Sequence, residues 1–365
     1  ELILEASIIK LIMKIMHGMR EVAGQAYYSV KGLKSNGYDA KLILWDESPL
    51  KYPYDECLMM VQGKKYMYPI YALKTFANFV KCAFKYDTFH FHFGHSLLPW
   101  NFDLPFLKLL KKNIFFEFHG SDVRQESIAY RMNHYWREVG LTNEEKLRVR
   151  MLKLGKYAKA FIVHDDELLP HFPAELQPFV VPLRIEPDKF EPKYPDPNRK
   201  TVTIVHAPSN RGVKGTSYVN KAVENLKKKY DIEYILVENM TQEDAFKEYR
   251  KADVIVDQIL GGTYGVFAIE AMAMGKPVIT YITDNMQRSL PEELPIVSAS
   301  PLNIESELER LINDGKLRHD LGVAGRKYIE IYHDCKKNGK VIGQIYEGKA
   351  KKLSGRAAFE EVKEL

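Results

Sequence analysis

The feature that most constrains this chain is its repeated alternation of short apolar runs with longer amphipathic segments. That is the pattern of βα units built around parallel sheets. In the first half, apolar runs fall at Ile12–Met16, Ala40–Trp45, Thr88–Phe91, Ile114–Phe118 and Ala160–Val163. A Gly-containing turn after the first run leads into a helix over about residues 25–36, which Gly37 closes as a C-cap. The second half opens with Val202–His206, a helix over about residues 217–229 and Ile232–Val237. Val254–Val256 and Pro277–Tyr281 follow, with a helix carrying Glu270 between them. Separating the halves, Pro182, Pro187, Pro192, Pro195 and Pro197 suit an extended connector, and neither a helix nor a central strand. The expected architecture is therefore α/β with two doubly wound domains, residues 13–183 and 200–334, joined by a linker at 184–199. A helical tail follows at 335–365. Two such domains imply a cleft between their C-terminal strand edges, where ligands bind in open α/β sheets.

Length and composition agree. A chain of 365 residues suits two cores better than one. With 45% hydrophobic and 28% charged residues, disordered, collagenous and disulfide-scaffold classes are excluded. The formal charge of +5 fits an anionic ligand or a membrane surface and is too small and dispersed to imply nucleic acid. Cys57, Cys82 and Cys335 are widely spaced and unpaired in pattern, which reads as free thiols without a zinc site. No apolar run reaches the roughly 20 residues that span a bilayer. The start lacks a cleavage pattern, and Met13-Lys14-Ile15-Met16 reads as a start running into a strand, with residues 1–12 an extension.

Four stretches carry chemistry. After Val254–Val256 the chain passes Asp257, Gln258, Gly261, Gly262, Thr263, Tyr264 and Gly265 into a helix opening at Val266. Such a helix start offers unpaired N–H groups and a positive dipole end, and Gly265 allows close backbone approach, so it is a natural phosphate seat. Glu270, about one and a half turns in, could accept hydrogen bonds from a ribose diol; an ordinary surface Glu is the plainer alternative. Arg211 and Lys214, in a Gly-flanked loop after Val202–His206, could both reach one diphosphate, or be a solvated basic turn. His119, before Gly120 and Asp122 at a strand end, should face the cleft, although a lone His is often merely packed. His90, His92 and His95 have metal-like spacing, but no carboxylate or cysteine completes them locally, and they read as one strand with two faces. Arg20 to Gln25, with Gly24, is a weaker loop signal. Lys64 to Lys85 and Leu104 to Lys112 mix lysines with Tyr, Phe and Leu, as amphipathic helices with a basic rim do.

The run from Tyr264 to Ile279 resembles the signature of retaining GT-B glycosyltransferases of the family 4, group 1 type. That signature is Glu-Gly-Phe-Gly, then a helix with a second Glu, then Ala-Met-Ala-x-Gly-x-Pro-Val. Tyr264 and Gly265 match the aromatic-Gly pair, and Glu270 to Ile279 matches nearly throughout. The resemblance implies that Glu270 binds the nucleotide ribose and that amides around Gly262, Thr263, Tyr264, Gly265 and Val266 hold phosphate and sugar. Arg211 and Lys214 match the pair that neutralises the donor pyrophosphate, where transition-state charge develops. His119 matches a donor-sugar contact, Asp122 its acidic partner, and Gly24 a loop lining the phosphates. One departure stands out. The first Glu of the signature falls at Gly262, leaving Asp257 and Gln258 as the nearest polar substitutes for the sugar contact.

The family implies a GT-B fold of two Rossmann-like domains facing across a cleft, an N-terminal acceptor domain, a C-terminal nucleotide-sugar domain, and a tail crossing back to the first. It implies transfer from a UDP- or GDP-sugar to a hydroxyl acceptor in glycan or glycolipid biosynthesis, retaining, with His119, Arg211 and Lys214 catalytic. No metal and no cofactor are expected, since the nucleotide-sugar is a substrate. Expected partners are that donor, a glycan or lipid-linked acceptor and an anionic membrane surface. The setting is cytoplasmic, peripheral on the inner membrane face. Two rival readings are a sugar-nucleotide 2-epimerase-like isomerase and an inactive nucleotide-binding partner subunit.

Overall fold

The computed structural model describes residues 13–59, 65–139 and 144–365; the extension expected at 1–12, and Lys64, lie outside them. The chain begins with β1 (Lys14–Met19), α1 (Gln25–Ser35), β2 (Asp39–Leu44), β3 (Glu56–Cys57), α2 (Tyr68–Lys85) and β4 (Thr88–His92). Next come α3 (Leu104–Leu109), β5 (Asn113–Glu117), α4 (Glu126–Met132), α5 (Trp136–Val139), α6 (Glu144–Gly155), β6 (Ala160–Val163) and β7 (Phe179–Val180). The second half runs β8 (Val202–His206), α7 (Arg211–Lys214), α8 (Thr216–Leu226), β9 (Ile232–Leu236), α9 (Gln242–Lys251), β10 (Val254–Val256) and α10 (Val266–Ala273). It ends with β11 (Val278–Thr280), α11 (Asp284–Ser289), β12 (Ile296–Ser298), α12 (Ile304–Asn313), α13 (Gly315–Tyr332), α14 (Cys335–Tyr346) and α15 (Arg356–Lys363).

These elements form two compact units. The first takes the chain up to Gln125, then Asn143–Arg184 and Cys335–Leu365; the second takes Glu126–Thr142 and Ile185–Asp334. The expected α/β class with parallel sheets is what the structure has. In the first unit seven strands lie in the order β3-β2-β1-β4-β5-β6-β7, and in the second five lie in the order β12-β11-β10-β8-β9. All pairings are parallel. Each order reverses once, between β1 and β4 and between β8 and β10. At such a switch point the loops leave in opposite directions and open a crevice, so the loops after these four strands are where ligands can enter.

Buried on both faces, the strands read as nearly continuous apolar runs. On one face of the first sheet Met16, Phe89, Phe91 and Phe116 pack with Phe79 and Cys82 of α2 and Leu104 and Leu107 of α3. On the other, Ile15, Leu42 and Phe115 pack with Ala26, Val30 and Leu33 of α1 and Val341, Ile342 and Ile345 of α14. The C-terminal residues are thereby part of the first unit: Tyr38 donates to Glu347 (2.6 Å) and Asn36 to the carbonyl of Lys336 (2.8 Å). The second core joins Val202, Ile204, Val254 and Ile279 to α8 and α12.

Two segments sit differently from a simple reading of the span 13–183 and the linker. Glu126–Thr142 belongs to the second unit, where Asn133 donates to the carbonyl of Leu260 (2.7 Å) and the Tyr135 ring meets Tyr281 edge-on at 5.4 Å. The proline-rich stretch is a strap fastened to the second unit. Arg326 on α13 donates to the carbonyls of Pro187 (3.0 Å), Phe190 (2.6 Å) and Ala273 (2.9 Å), and the N–H of Lys193 bonds Met274 (2.9 Å). Without their own N–H groups the prolines cannot donate, so the strap is held through carbonyls and through the N–H groups of residues between the prolines, such as Ile185 and Lys193.

Candidate functional site

At the switch point of the second unit, β8 and β10 are locked together by His206. Its Nδ1 meets the carbonyl of Val256 at 2.8 Å, which can only accept, so Nδ1 carries the proton and Nε2 accepts from the Thr216 hydroxyl (2.9 Å). Burial holds this imidazole below its ordinary pKa and therefore neutral. Above that lock lies Lys214, which donates to Asp257 Oδ1 (2.6 Å) and Gln258 Oε1 (3.2 Å). Gln258 Nε2 in turn donates to the carbonyl of Thr263 (2.5 Å), tying the loop over the strand end. Lys214, Asp257, Gln258 and Thr263 are thus one connected group. Asp257 is buried, and among the described residues its Oδ2 has no hydrogen-bond partner.

Beyond this group α10 begins. Gly265, its N-cap, supplies no side chain and so makes no side-chain cap hydrogen bond of its own. The helix is buried from Ala268 to Ala273, as its nearly uninterrupted apolar sequence requires. Its N-terminal end at Gly265, Val266 and Phe267 is less covered, which leaves donors for an anion. Glu270 lies in this helix, largely buried; its charge adds to burial in raising the Tyr249 phenol.

Three residues behave otherwise than their sequence positions suggest. Arg211 is directed to the end of β9, where its Nε meets Glu238 Oε1 at 2.7 Å and its Nη2 pairs with Oε2; it is 62% exposed. Tyr264 turns inward, its hydroxyl 3.1 Å from His333 Nε2 and 3.3 Å from that of Tyr328, and so anchors the loop to α13. Gly262 has φ of +83°, and a Cβ there would come within 2.8 Å of Asn133 Nδ2 and 3.0 Å of Thr283. A carboxylate at this position would strain the backbone and would require the Asn133 amide to move aside.

In the first unit, His119, Asp122 and Gly24 occupy the strand edge. Asp122 faces its own loop, accepting from the N–H groups of His119 (3.0 Å) and Gly120 (2.8 Å), and burial raises its pKa. His119 is the outer member of an imidazole chain. Its Nε2 lies 3.2 Å from His92 Nδ1, and His92 Nε2 lies 3.1 Å from His17 Nδ1. Tyr346 closes the inner end, 2.9 Å from His17 Nε2 and 2.6 Å from His90 Nδ1. Burial depresses all four rings, His119 to about 3, so they are neutral at pH 7. Beside them, burial would raise Glu117, but Arg184 pairs with it and holds it well below the carboxylate range.

Donor atoms of His17, His90 and His92 lie within 4.8 Å of one another, as do those of His92, Glu117 and His119. Among the described residues, these are the groups that could hold a metal ion. Nitrogens of the chain are engaged with each other and with Tyr346, so the cluster also stands as a hydrogen-bonded core. Sequence reading found His90, His92 and His119 but missed Glu117, His17, Arg184 and Tyr346. Glu117 lies opposite His92 on the neighbouring strand, and pairing of strands is what brings it there. His95 is apart from this group, edge-on to Trp45 at 5.6 Å.

No family model matches the sequence, and no curated relative matches it. Solved structures do. Sucrose-phosphate synthase from Thermosynechococcus elongatus superposes with a TM-score of 0.63 at 16% identity, over 92% of this chain and 99% of that one. HepE from Anabaena, solved in complex with UDP and glucose, gives 0.63 at 11%, again over 92% and 99%. A glycosyltransferase from Rickettsia africae gives 0.59 at 15%, over 92% and 98%. The chain has the GT-B glycosyltransferase fold.

In this GT-B chain the loops after β1, β2 and β4 enclose a cavity of about 890 Å³, lined in part by Arg20, Glu21, Trp45, Asp46, Glu47, Tyr71 and Trp100. An adjoining cavity of about 660 Å³ shares Trp45 and Trp100 and adds Lys146, Arg150 and Lys153. Both sit at the switch point of the first sheet, where the GT-B topology opens its crevice. Gly24, the N-cap of α1, has φ of +83°, and a Cβ would come within 2.8 Å of Tyr28 and Tyr52. Since Gly24 cannot cap the helix, Glu21 does, its Oε2 accepting from the Tyr27 N–H (2.8 Å). Burial, against those backbone bonds, lifts the Glu21 carboxyl to about 7.

Proposed function

We propose that this chain transfers a sugar from a nucleoside-diphosphate sugar to a hydroxyl acceptor, with retention of anomeric configuration. The observation that carries the reading is the second unit's switch point. Lys214 stands there after β8, bonded to Asp257 and Gln258 at the end of β10, and Gln258 holds Thr263, two residues ahead of the glycine N-cap of α10. Lys214 and the first-turn N–H groups would hold the diphosphate, Glu270 the ribose, and Arg211 would leave Glu238 for the phosphate that gathers charge. The resemblance of Tyr264–Ile279 to the retaining signature supports the stereochemistry. With Gly262 in place of a carboxylate, Asp257 and Gln258 are the polar groups nearest the donor sugar. His119 is proposed to contact that sugar, with Asp122 setting its loop and Gly24 the α1 entry.

In the proposed step the acceptor oxygen bonds the anomeric carbon while the bond from that carbon to the diphosphate oxygen breaks. The acceptor's proton passes to the departing diphosphate. Lys214 and the helix N-terminus are worth most at this point, because they stabilise negative charge that grows during the reaction. The proposed chemistry uses no metal or cofactor. Among the described residues no helix is long and apolar enough to cross a membrane. Exposed apolar side chains along α2 and α3, with lysines beside them, support a cytoplasmic protein resting on an anionic membrane that carries a glycan or lipid-linked acceptor.

Incubation with UDP- and GDP-sugars, following nucleotide release with and without hydroxyl acceptors, tests the proposal. Acceptor-dependent release is expected. A changed sugar still bearing its nucleotide would mean an epimerase, and nucleotide binding without turnover an inactive partner.

A further inference from the structure

The cavity after β1, β2 and β4 carries a chemistry of its own. A phosphorylated ligand entering the first unit would find its natural seat at the N-terminus of α1, where the helix dipole and unpaired N–H groups attract anions. That seat is taken from within: the Glu21 carboxylate accepts the Tyr27 N–H at 2.8 Å. Gly24 brings no further opening, since Tyr28 and Tyr52 press on it. Asp46 and Glu47 add two more carboxylates to the same lining, the latter accepting from the Tyr54 hydroxyl (2.6 Å). Arg20 is the one cation on it among the described residues, and its guanidinium lies 5.8 Å from the Phe93 ring centre. The lysines Lys146 and Lys153, with Arg150, line the adjoining cavity instead. Trp45, Tyr71 and Trp100 line the same cavity as these carboxylates.

Carboxylates accept hydrogen bonds from hydroxyl groups and repel phosphate, while aromatic faces cover the C–H faces of a sugar ring. A volume of about 890 Å³ is large enough for one or two sugar rings. We infer that this cavity is the acceptor subsite, and that it selects an uncharged, hydroxyl-rich sugar over a phosphorylated one. The inference rests on the transferase reading above and adds to it the charge class of the acceptor.

The test uses the whole chain and its own tryptophans, two of which line the cavity. Glucose, mannose, maltose and lactose, with glucose 6-phosphate and mannose 6-phosphate, are titrated while tryptophan fluorescence is followed. At least one neutral sugar is expected to bind about tenfold or more tighter than its phosphate, the discrimination that like charge imposes. The titrations are run at about pH 8.5, above the raised value of the Glu21 carboxyl, so that it is charged. Glu21→Gln keeps an oxygen for the Tyr27 N–H but removes that charge, so the phosphate should gain affinity and the gap narrow. Asp46→Asn gives the same readout should Glu21→Gln not fold. Phosphates binding as tightly as neutral sugars, or no neutral sugar altering the fluorescence, overturns the inference. UDP binding is measured separately: its absence alongside normal sugar binding would sink the transferase reading and leave the subsite's charge preference standing.

Discussion

Gly262 shows how one residue can decide what a motif still does. Its φ of +83° is open to glycine at little cost, and Asn133 fills the space a side chain would need. Gly262→Glu, which restores the family pattern on paper, should cost about 1–3 kcal/mol in a denaturant melt and leave turnover no higher. An unshifted melt would mean that the loop accepts a side chain and that the missing carboxylate is a matter of sequence alone. Lys214 and Glu270 were legible as candidates because loop, helix and spacing are local. The direction of Arg211 was not, since Glu238 is supplied by β9, and Tyr264 matched an aromatic-Gly pair while its hydroxyl serves α13. The buried group around Glu117 was hidden for the same reason. Tyr346 reaches His90 from 256 residues away, and no spacing rule reports such a contact.

At the level of elements, the two switch points explain why the candidate groups collect where they do. β8 and β10 hold out the loops carrying Lys214 and Asp257; β1 and β4 hold out those carrying Glu21 and His95. α2 raises a different question. Its inner face packs Phe79 and Cys82 into the core, but Leu73, Phe76 and Phe84 follow one another down its outer face, and Phe84 is 78% exposed. α3 likewise buries Leu104 and Leu107 and exposes Phe106 and Leu109. The sequence expectation of a core side and a solvated side thus holds only for the inner residues. Apolar side chains in water, rimmed by Lys74, Lys81 and Lys108, suit a lipid surface. The protein should co-sediment with vesicles containing about a third phosphatidylserine and not with purely neutral ones, and Phe76→Ser with Phe84→Ser should lower the bound fraction several-fold. Equal recovery with both vesicle types would remove the anionic membrane from the account.

For the molecule as a whole, the periodicity of apolar runs was enough for the α/β class and its parallel sheets, because strands buried on both faces leave an unmistakable pattern. The assignment of segments to units was less accessible. Glu126–Thr142 leaves the unit that precedes and follows it in sequence, through contacts such as Asn133 to Leu260 that composition does not signal. The fold alone admits many chemistries, so function rests on the seat at the start of α10. Calorimetric titration of UDP and GDP into the wild-type chain and into Lys214→Ala measures that seat most directly. The account predicts one site for a nucleoside diphosphate in the wild type, weakened about tenfold or more by Lys214→Ala, as loss of a charge-assisted contact requires. Binding of neither nucleotide, or binding that Lys214→Ala leaves unchanged, would contradict it.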